Sequence, residues 1–206
     1  MINKRSTFAH PKNTTMKKTI LVALLSLMSG FASQAQTQFE QDGVTIPRTI
    51  EIHKKALQLN GFGTRSKAWV DVYVQALYLS QLSQDGAFII DSEADMAIRI
   101  QITSKLVTSH KLTKNMEIGF EKSCGDNFAA MQPRIEMLKS MLADKIVEKD
   151  VFILAYNTLD ESVSVYKNDE LKGKIPGLDF KKALFGIWLA ENPADKDLKE
   201  ELLGKK

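Results

Sequence analysis

A segment that is apolar on both faces most strongly limits what this chain can fold into. From Trp69 to Leu79 the sequence is rich in Val, Tyr and Leu, and both its odd and its even positions are largely apolar. Branched and aromatic side chains favour extended backbone, and a strand with two apolar faces has to be covered on both sides. We therefore predict a central strand of a sheet over residues 69–79.

Shorter alternating runs predict the other strands. The clearest is Met96–Thr103, which carries four apolar residues on one face, so that its other face should be wet or lightly covered. Gly61 and Gly63 predict a turn, since glycine readily adopts backbone conformations that other residues avoid. Residues 36–42 are polar and predict a loose leader. The remaining predicted strands are 48–52, 56–59 and a meander of 151–156, 162–166 and 171–175.

Helices are predicted between these groups of strands and at the C-terminus. Residues 109–148 are rich in Lys, Glu, Met, Leu and Ala, and apolar residues at helical spacing predict two helices that break at Gly125-Asp126. Pro133 should open the second helix or kink it. We further predict a helix from 180 to 189 capped by Asp179, and a last helix capped by Asp195 and stopped by Gly204. Together the elements predict one domain of the α+β class.

The N-terminal segment is predicted to be a signal peptide. Two lysines at 17–18 precede an apolar stretch of about a dozen residues, and Ser33-Gln34-Ala35 offers small residues for a signal peptidase. We predict cleavage after Ala35, a mature domain over residues 36–206 and a periplasmic location. The stretch is shorter than the roughly 20 residues of a membrane-spanning helix, so no stable span is expected. Residues 1–15 resemble neither signal nor domain, and we interpret them as an over-extended start.

Charge and cysteine content exclude several classes of protein. Residues 1–35 hold five of the 28 Lys and Arg and none of the 25 Asp and Glu, which leaves the predicted mature chain with a net charge of −2. Such a chain lacks the basic surplus that phosphate backbones attract, and we expect no nucleic-acid partner. Cys124 is the single cysteine, so no internal disulfide can form, and we expect it to be a small core residue.

No catalytic, metal or cofactor motif is evident. His53 and His110 lie far apart in sequence, and no His, Cys or carboxylate cluster has the spacing of metal ligands. Nucleophile elbows and dinucleotide-binding loops are missing as well, so we expect no cofactor. We interpret Trp69 and Trp188 as core residues.

One composite pattern resembles the chalcone isomerase-like family. A Gly-x-Gly-x-Arg motif at 61–65 precedes a strand that ends in Tyr78-Leu79. The C-terminal part, with GKIPGLDF at 173–180 and ALFGIWL at 183–189, resembles the exported bacterial members of that family. The resemblance covers nearly the whole predicted domain. It implies an open-faced β-sandwich, in which a large antiparallel sheet packs against a layer of helices around an apolar cleft, with a small extra sheet.

The resemblance also implies two site residues and leaves three functions open. In a non-catalytic branch of the family an arginine and a tyrosine hold the carboxylate of a fatty acid, and Arg65 and Tyr73 match them. Tyr73 stands where the isomerases carry threonine, and Gly186 stands in place of a late hydroxyl residue. We therefore favour an exported, non-catalytic binding protein for a small amphipathic carboxylate. The alternatives are a chalcone-type isomerase that cyclises a phenolic enone, and an adaptor domain with a sealed interior.

Overall fold

A seven-stranded antiparallel sheet forms the centre of residues 37–206. The structure is a computed structural model that describes Met1 and residues 37–206, so the predicted signal peptide lies outside the described residues. A separate two-stranded sheet precedes the large one. The nine strands are β1 (Gln38–Gln41), β2 (Val44–Pro47), β3 (Thr49–Ile52), β4 (Lys55–Lys67), β5 (Val70–Leu79), β6 (Met96–Ile102), β7 (Val151–Asn157), β8 (Ser162–Lys167) and β9 (Glu170–Pro176).

The large sheet follows chain order, with each of β3 to β9 hydrogen-bonded to the next. The predicted strands at 69–79 and 96–103 are confirmed as β5 and β6, and the predicted meander is confirmed as β7 to β9. The predicted turn at Gly61 and Gly63 is wrong, because β4 runs straight through both glycines and only its register with β5 shifts, between Leu59 and Gly61. These glycines serve close packing, as the site shows, and not chain reversal.

Five α-helices accompany the sheet in the part of the chain that the structure describes. The two helices predicted before residue 148 are confirmed as α2 and α3, with a short 3₁₀ turn at Gly125–Asn127 between them, while α1 has no counterpart in the predictions. Pro133 lies within α3 and does not open it. The helices are α1 (Gly86–Asp91), α2 (Ser109–Cys124), α3 (Phe128–Met141), α4 (Leu178–Leu189) and α5 (Lys196–Leu202).

The two C-terminal helices start differently from each other. Asp195 caps α5 as predicted, because its carboxylate accepts hydrogen bonds from the backbone N–H groups of Asp197 and Leu198. Asp179 was predicted to cap α4, and this is wrong: the cap position is Gly177, which has no side chain to offer. Asp179 instead receives two 2.6 Å hydrogen bonds from Arg134 of α3. That ion pair joins α3 to the start of α4.

One face of the large sheet carries the main core. Alternate residues of β5 and β6, including Leu77, Ile98 and Ile100, pack against the helices, and Phe120, Phe180 and Leu184 are fully buried between the two layers. Gly119 of α2 lies directly against Ile187 of α4, so that these two helices approach closely. Cys124 is only partly buried at the margin of this core.

The opposite face of the sheet is covered much more thinly. The β1–β2 hairpin lies over it and buries a small second cluster that includes Val44, Ile46 and Tyr78. Residues 38–41 are therefore an ordered strand, and the prediction of a loose leader over 36–42 is wrong for them. The prediction that the second face of β6 would be lightly covered is confirmed.

Trp69 is not a core residue, contrary to prediction. It lies in the two-residue turn between β4 and β5 and is 102% exposed, whereas Trp188 of α4 is 3% exposed and confirms its prediction. Strand alternation placed Trp69 in line with the apolar positions of β5, but Trp69 belongs to the turn and β5 begins one residue later than the pattern indicates. Among the described residues no helix combines the length and apolarity that crossing a bilayer requires.

Candidate functional site at the sheet–helix interface

Arg65 and Tyr73, the two predicted site residues, are direct neighbours. They are register partners on the antiparallel strands β4 and β5. Directly opposite residues of an antiparallel pair point to the same face, and Tyr73 packs against the main core, so both lie on the helix-covered face. The fold therefore brings together the guanidinium and the phenol that the resemblance assigns to ligand binding.

Helix α5 lies directly on β4 next to this pair. A Cβ at Gly61 would overlap the backbone carbonyl oxygens of Glu201 and Leu202, and a Cβ at Gly63 would overlap the carboxylate of Glu201. Only glycine leaves room for such contact between a helix and a strand. The two glycines of the motif thus allow α5 to close over the strand.

The carboxylate of Asp195 forms an ion pair with Arg65 at the start of α5. Both side chains are mostly buried, with 26% of Arg65 and 19% of Asp195 exposed. The same carboxylate caps α5, so Asp195 joins the last helix to the sheet at this point. In chemical terms, Arg65 already holds a carboxylate, and that carboxylate comes from its own chain.

The phenol of Tyr73 lies in a dry environment. Burial raises the pKa of Tyr73, while the Trp188 indole, which can donate to the phenol oxygen, and the Arg65 charge oppose that rise. Tyr73 is therefore a neutral hydrogen-bond donor at physiological pH. Burial also raises the pKa of the Glu201 carboxyl, and the nearby carboxylates of Asp195 and Asp197 add to the rise.

Gln75 is a further polar residue at the site, and sequence reasoning missed it. It follows Tyr73 on the same face of β5, is opposite Gly63 in the register, and is completely buried. Neither its amide oxygen nor its amide nitrogen has a hydrogen-bond partner among the described residues. A buried amide without partners costs roughly 1–3 kcal/mol, so its retention in the core requires a reason. The sequence feature that could have identified Gln75 is a polar residue at an inward-facing position of an otherwise apolar strand.

Two surface cavities border α5, and the first shares Gly61 and Glu201 with the contact between α5 and β4. The first, of about 430 Å³, lies beside β1 and β4 and is lined by Phe39, Arg48 and Phe62 among others. The second, of about 670 Å³, lies between α1 and the C-terminal residues. Neither is lined by Arg65 or Tyr73, and around those two residues the layers are packed together. Across residues 37–206 no three His, Cys, Asp or Glu side chains converge as metal ligands would.

Comparisons with known proteins agree with this architecture. A family model described as chalcone isomerase-like matches residues 38–204. Among solved structures, the chain is similar to a fatty-acid binding protein of Arabidopsis thaliana, with a TM-score of 0.65 and 17% sequence identity, over 81% of this chain and 95% of that chain. No curated protein sequence matches. The sheet, its helix layer and the match to nearly all of the described residues lead to one conclusion: the chain belongs to the chalcone isomerase-like family.

Proposed function

We propose that this protein binds a fatty acid or a related amphipathic carboxylate without transforming it. The carboxylate would lie at Arg65 and Tyr73, and the apolar chain would extend between the sheet and the helices. The observation that carries the proposal is the buried amide of Gln75, which lies beside Tyr73 and has no hydrogen-bond partner within residues 37–206. A ligand oxygen at this place would give the amide the hydrogen bond that the described part of the chain does not provide.

The donors at this place suit a carboxylate. A guanidinium can donate two parallel hydrogen bonds to a carboxylate, and the neutral phenol of Tyr73 and the amide N–H of Gln75 can each donate another. Hydrogen bonds to a charged group contribute roughly 1.5–3 kcal/mol each, which is enough to orient the head of a ligand whose chain is held by apolar contacts. The Arabidopsis thaliana protein with the similar fold is described as fatty-acid binding, and this supports the proposed ligand class.

Binding at this place requires a shift of α5. Asp195 holds the guanidinium and α5 closes over Gly61 and Gly63, so an incoming carboxylate has to take the place of Asp195 while the helix moves outward. Asp195 is then an internal substitute for the ligand, which neutralises Arg65 while the site is empty.

We also propose export to the periplasm, for which the observation is the charge and apolar pattern of residues 17–35. N-terminal sequencing of the mature protein should then begin at Gln36.

A second candidate function is favoured by the same ion pair. Because Arg65 is already neutralised and the layers are packed around it, the domain could be a ligand-free adaptor in which Arg65 and Asp195 only anchor α5. In that case Gln75 would be a tolerated defect of the core. The two candidate functions predict different effects on fatty-acid binding when the charge of Asp195 is removed.

Native mass spectrometry of the purified protein, followed by fatty-acid titration, tests the proposal. We expect a co-purified fatty acid in the wild-type protein and its loss in Arg65→Ala. Arg48→Ala is the matched control, since Arg48 lines the first cavity and not this site, and it should retain the ligand. Loss of the ligand in Arg48→Ala but not in Arg65→Ala would move the binding site to the first cavity.

Asp195→Asn separates the two candidates. Asparagine caps a helix as well as aspartate does, but it removes the internal competitor for Arg65. If the protein binds carboxylates, Asp195→Asn should bind fatty acids roughly tenfold or more tightly, as expected when a charged competitor is lost. An adaptor would show no fatty-acid binding in either form and only a modest loss of stability in the variant.

A further inference from the structure

The tip of the β4–β5 hairpin carries a fully exposed tryptophan. Ala68 and Trp69 form the two-residue turn and both have positive φ, 48° and 68°. Turns of this kind prefer Asn-Gly, because most side chains are strained at positive φ. Trp69 is 102% exposed, so it gains nothing from packing in return for that strain. Folding of the domain therefore does not explain why tryptophan stands here.

Two more apolar side chains are exposed at the same end of the sheet. Leu106 is 58% exposed in the loop after β6, and Val147 is 48% exposed before β7. The loop after β6 is tied to the start of β5 by a 3.2 Å hydrogen bond from the N–H of Thr103 to the carbonyl of Val72. The segment before β7 is tied to the end of β6 by a 2.8 Å bond from the N–H of Lys149 to the carbonyl of Ile102. We call this surface the Trp69 end. It is formed by Trp69, Leu106 and Val147 together with four lysines, Lys67, Lys105, Lys111 and Lys149.

Lysines surround these apolar side chains. Lys67 precedes the turn, Lys105 precedes Leu106, and all four lysines of the surface are exposed. Lys111 donates a 3.0 Å hydrogen bond to the carbonyl of Leu106, and Lys149 follows Val147 by two residues. The exposed carboxylates nearby are Asp71 at the start of β5 and Asp144 and Glu148 before β7, and Lys145 adds a fifth exposed lysine, so the surface is net positive. The chain as predicted after cleavage is net negative, which makes this local surplus of cations distinctive.

We propose that the Trp69 end docks on the surface of an anionic lipid bilayer. Tryptophan is the side chain that favours the boundary between headgroups and acyl chains, and each lysine close to an anionic membrane contributes a factor of about five to the partition. The positive ring directs the surface toward acidic headgroups, and the three apolar side chains enter the interface. With so few anchors the contact is reversible, unlike that of a spanning helix.

The docking surface lies next to the candidate ligand site. Arg65 precedes Lys67 by two residues on the same strand, a separation of about 7 Å along the chain, and Tyr73 lies four residues beyond Trp69 on the neighbouring strand. If the proposed carboxylate site is correct, a fatty acid could pass between the bilayer and Arg65 over a short path. The docking itself does not depend on that ligand, because none of its residues belongs to the site.

Sedimentation with lipid vesicles tests the docking. Residues 37–206 contain both parts of the core and would be used without the segment before them. We expect binding to vesicles with a quarter phosphatidylglycerol in phosphatidylcholine, together with a blue shift of tryptophan emission. Neither should occur with phosphatidylcholine alone, and high salt should weaken binding because it screens the lysines. The double variant Ala68→Asn/Trp69→Gly keeps a favourable turn and should bind about tenfold or more weakly.

Matched controls at the opposite end of the sheet make the test specific. Leu159 is 81% exposed in the β7–β8 turn, and Leu159→Ser should bind like the wild type. Lys105→Glu should bind more than about fivefold more weakly, whereas Lys54→Glu, in the β3–β4 turn, should change binding less than about twofold. The proposal is overturned if the wild-type domain ignores anionic vesicles, or if the double variant binds them as well as the wild type. The proposal is also overturned if Leu159→Ser loses as much vesicle binding as the double variant.

Discussion

The two faces of the seven-stranded sheet differ in what covers them: helices pack on one face and only the β1–β2 hairpin on the other. Each face carries an arginine near a tyrosine. On the helix-covered face, Arg65 lies opposite Tyr73 and is neutralised by Asp195. On the hairpin-covered face, Arg99 lies near Tyr78 and donates a 2.7 Å hydrogen bond to the side chain of Gln101. It forms no ion pair with another residue in the part of the chain that the structure describes. Burial lowers the pKa of Arg99 and raises that of Tyr78 to about 12.

The comparison shows that the two faces compensate the charge of a partly buried arginine differently. Beneath the helices the protein supplies a counter-charge, as Asp195 does for the mostly buried side chain of Arg65. On the other face Arg99, which is also partly buried, bonds to the neutral side chain of Gln101, and burial lowers its pKa because this partner does not compensate the charge. A ligand that enters the helix-covered face must therefore exchange with an internal partner, and its binding should be coupled to movement of α5.

The largest contrast between the faces should appear in core stability. Phe120 is fully buried between the helices and the sheet, whereas Phe62 is partly buried on the hairpin side, where it stacks on Phe39 with ring centroids 5.4 Å apart. Phe120→Ala should lower the free energy of unfolding by about 3–5 kcal/mol. Phe62→Ala should lower it by roughly 1–2 kcal/mol, since less area is removed from water in the native state. The measurement is chemical denaturation of both variants. If they lose the same free energy of unfolding, the hairpin side contributes as much to core stability as the helix side.

The division into strands and helices could be predicted because periodicity reports burial. β5, β6 and the β7–β9 meander each show the expected alternation, and α2 and α3 show helical spacing. The prediction failed where one residue type serves two purposes. Gly61 and Gly63 suggested a turn, but they permit close approach of α5, and that use of glycine depends on a helix about 140 residues further along the chain.

The site was predictable only in part, for the same reason. The resemblance pointed to Arg65 and Tyr73, and the register brings them together. Arg65 pairs with Asp195, 130 residues away in sequence, and Gln75 has no hydrogen-bond partner among the residues that the structure describes, and both facts arise from tertiary packing. No local pattern encodes either of them. Helix α1 was missed because its six residues are too few to show a helical period.

A second contrast concerns titration beneath the helices. Lys181 is fully buried and donates three hydrogen bonds, to the carbonyls of Ile89, Ile90 and Ser92, at the end of α1. Burial lowers its pKa to about 8, with a smaller effect in the same direction from Lys182, while Asp91 and Glu93 oppose it. Between pH 8 and about 10 the unfolded chain then binds more protons than the folded one, so the free energy of unfolding should rise with pH.

Denaturation at several pH values between about 8 and 10 measures this rise. Above that range the raised pKa of Tyr78 acts in the opposite direction, because the folded tyrosine keeps its proton while the unfolded one loses it. Lys181→Met should abolish the rise, whatever the variant does to stability at a single pH. Lys182→Met, a change at the half-buried neighbour, should keep most of the rise, since burial is the larger cause of the lowered pKa. A wild-type protein whose stability is flat over this range would contradict the assigned environment of Lys181.

The smallest expected effect lies on the hairpin-covered side, at the β3–β4 turn. His53 reaches from this turn to β8, where its Nε2 lies 3.0 Å from the Ser164 hydroxyl and 3.3 Å from that of Tyr166. Burial lowers the pKa of His53, and Lys174 and Lys55 add to this, while Asp160 and Asp95 oppose it. Folding therefore disfavours the protonated ring, and stability should decline slightly as the pH falls below about 6.5.

His53→Asn should remove that decline without straining the turn, since asparagine tolerates the φ of 53° found there. Lys54→Asn, at the next turn position with a φ of 62°, is the matched control and should retain it. The measurement is denaturation between about pH 7 and 5.5, above the range in which carboxylates become protonated. If His53→Asn titrates like the wild type, the turn does not pack on β8 in solution. The sheet would then curl less than these contacts require, and its hairpin-covered face would be open to a ligand as well.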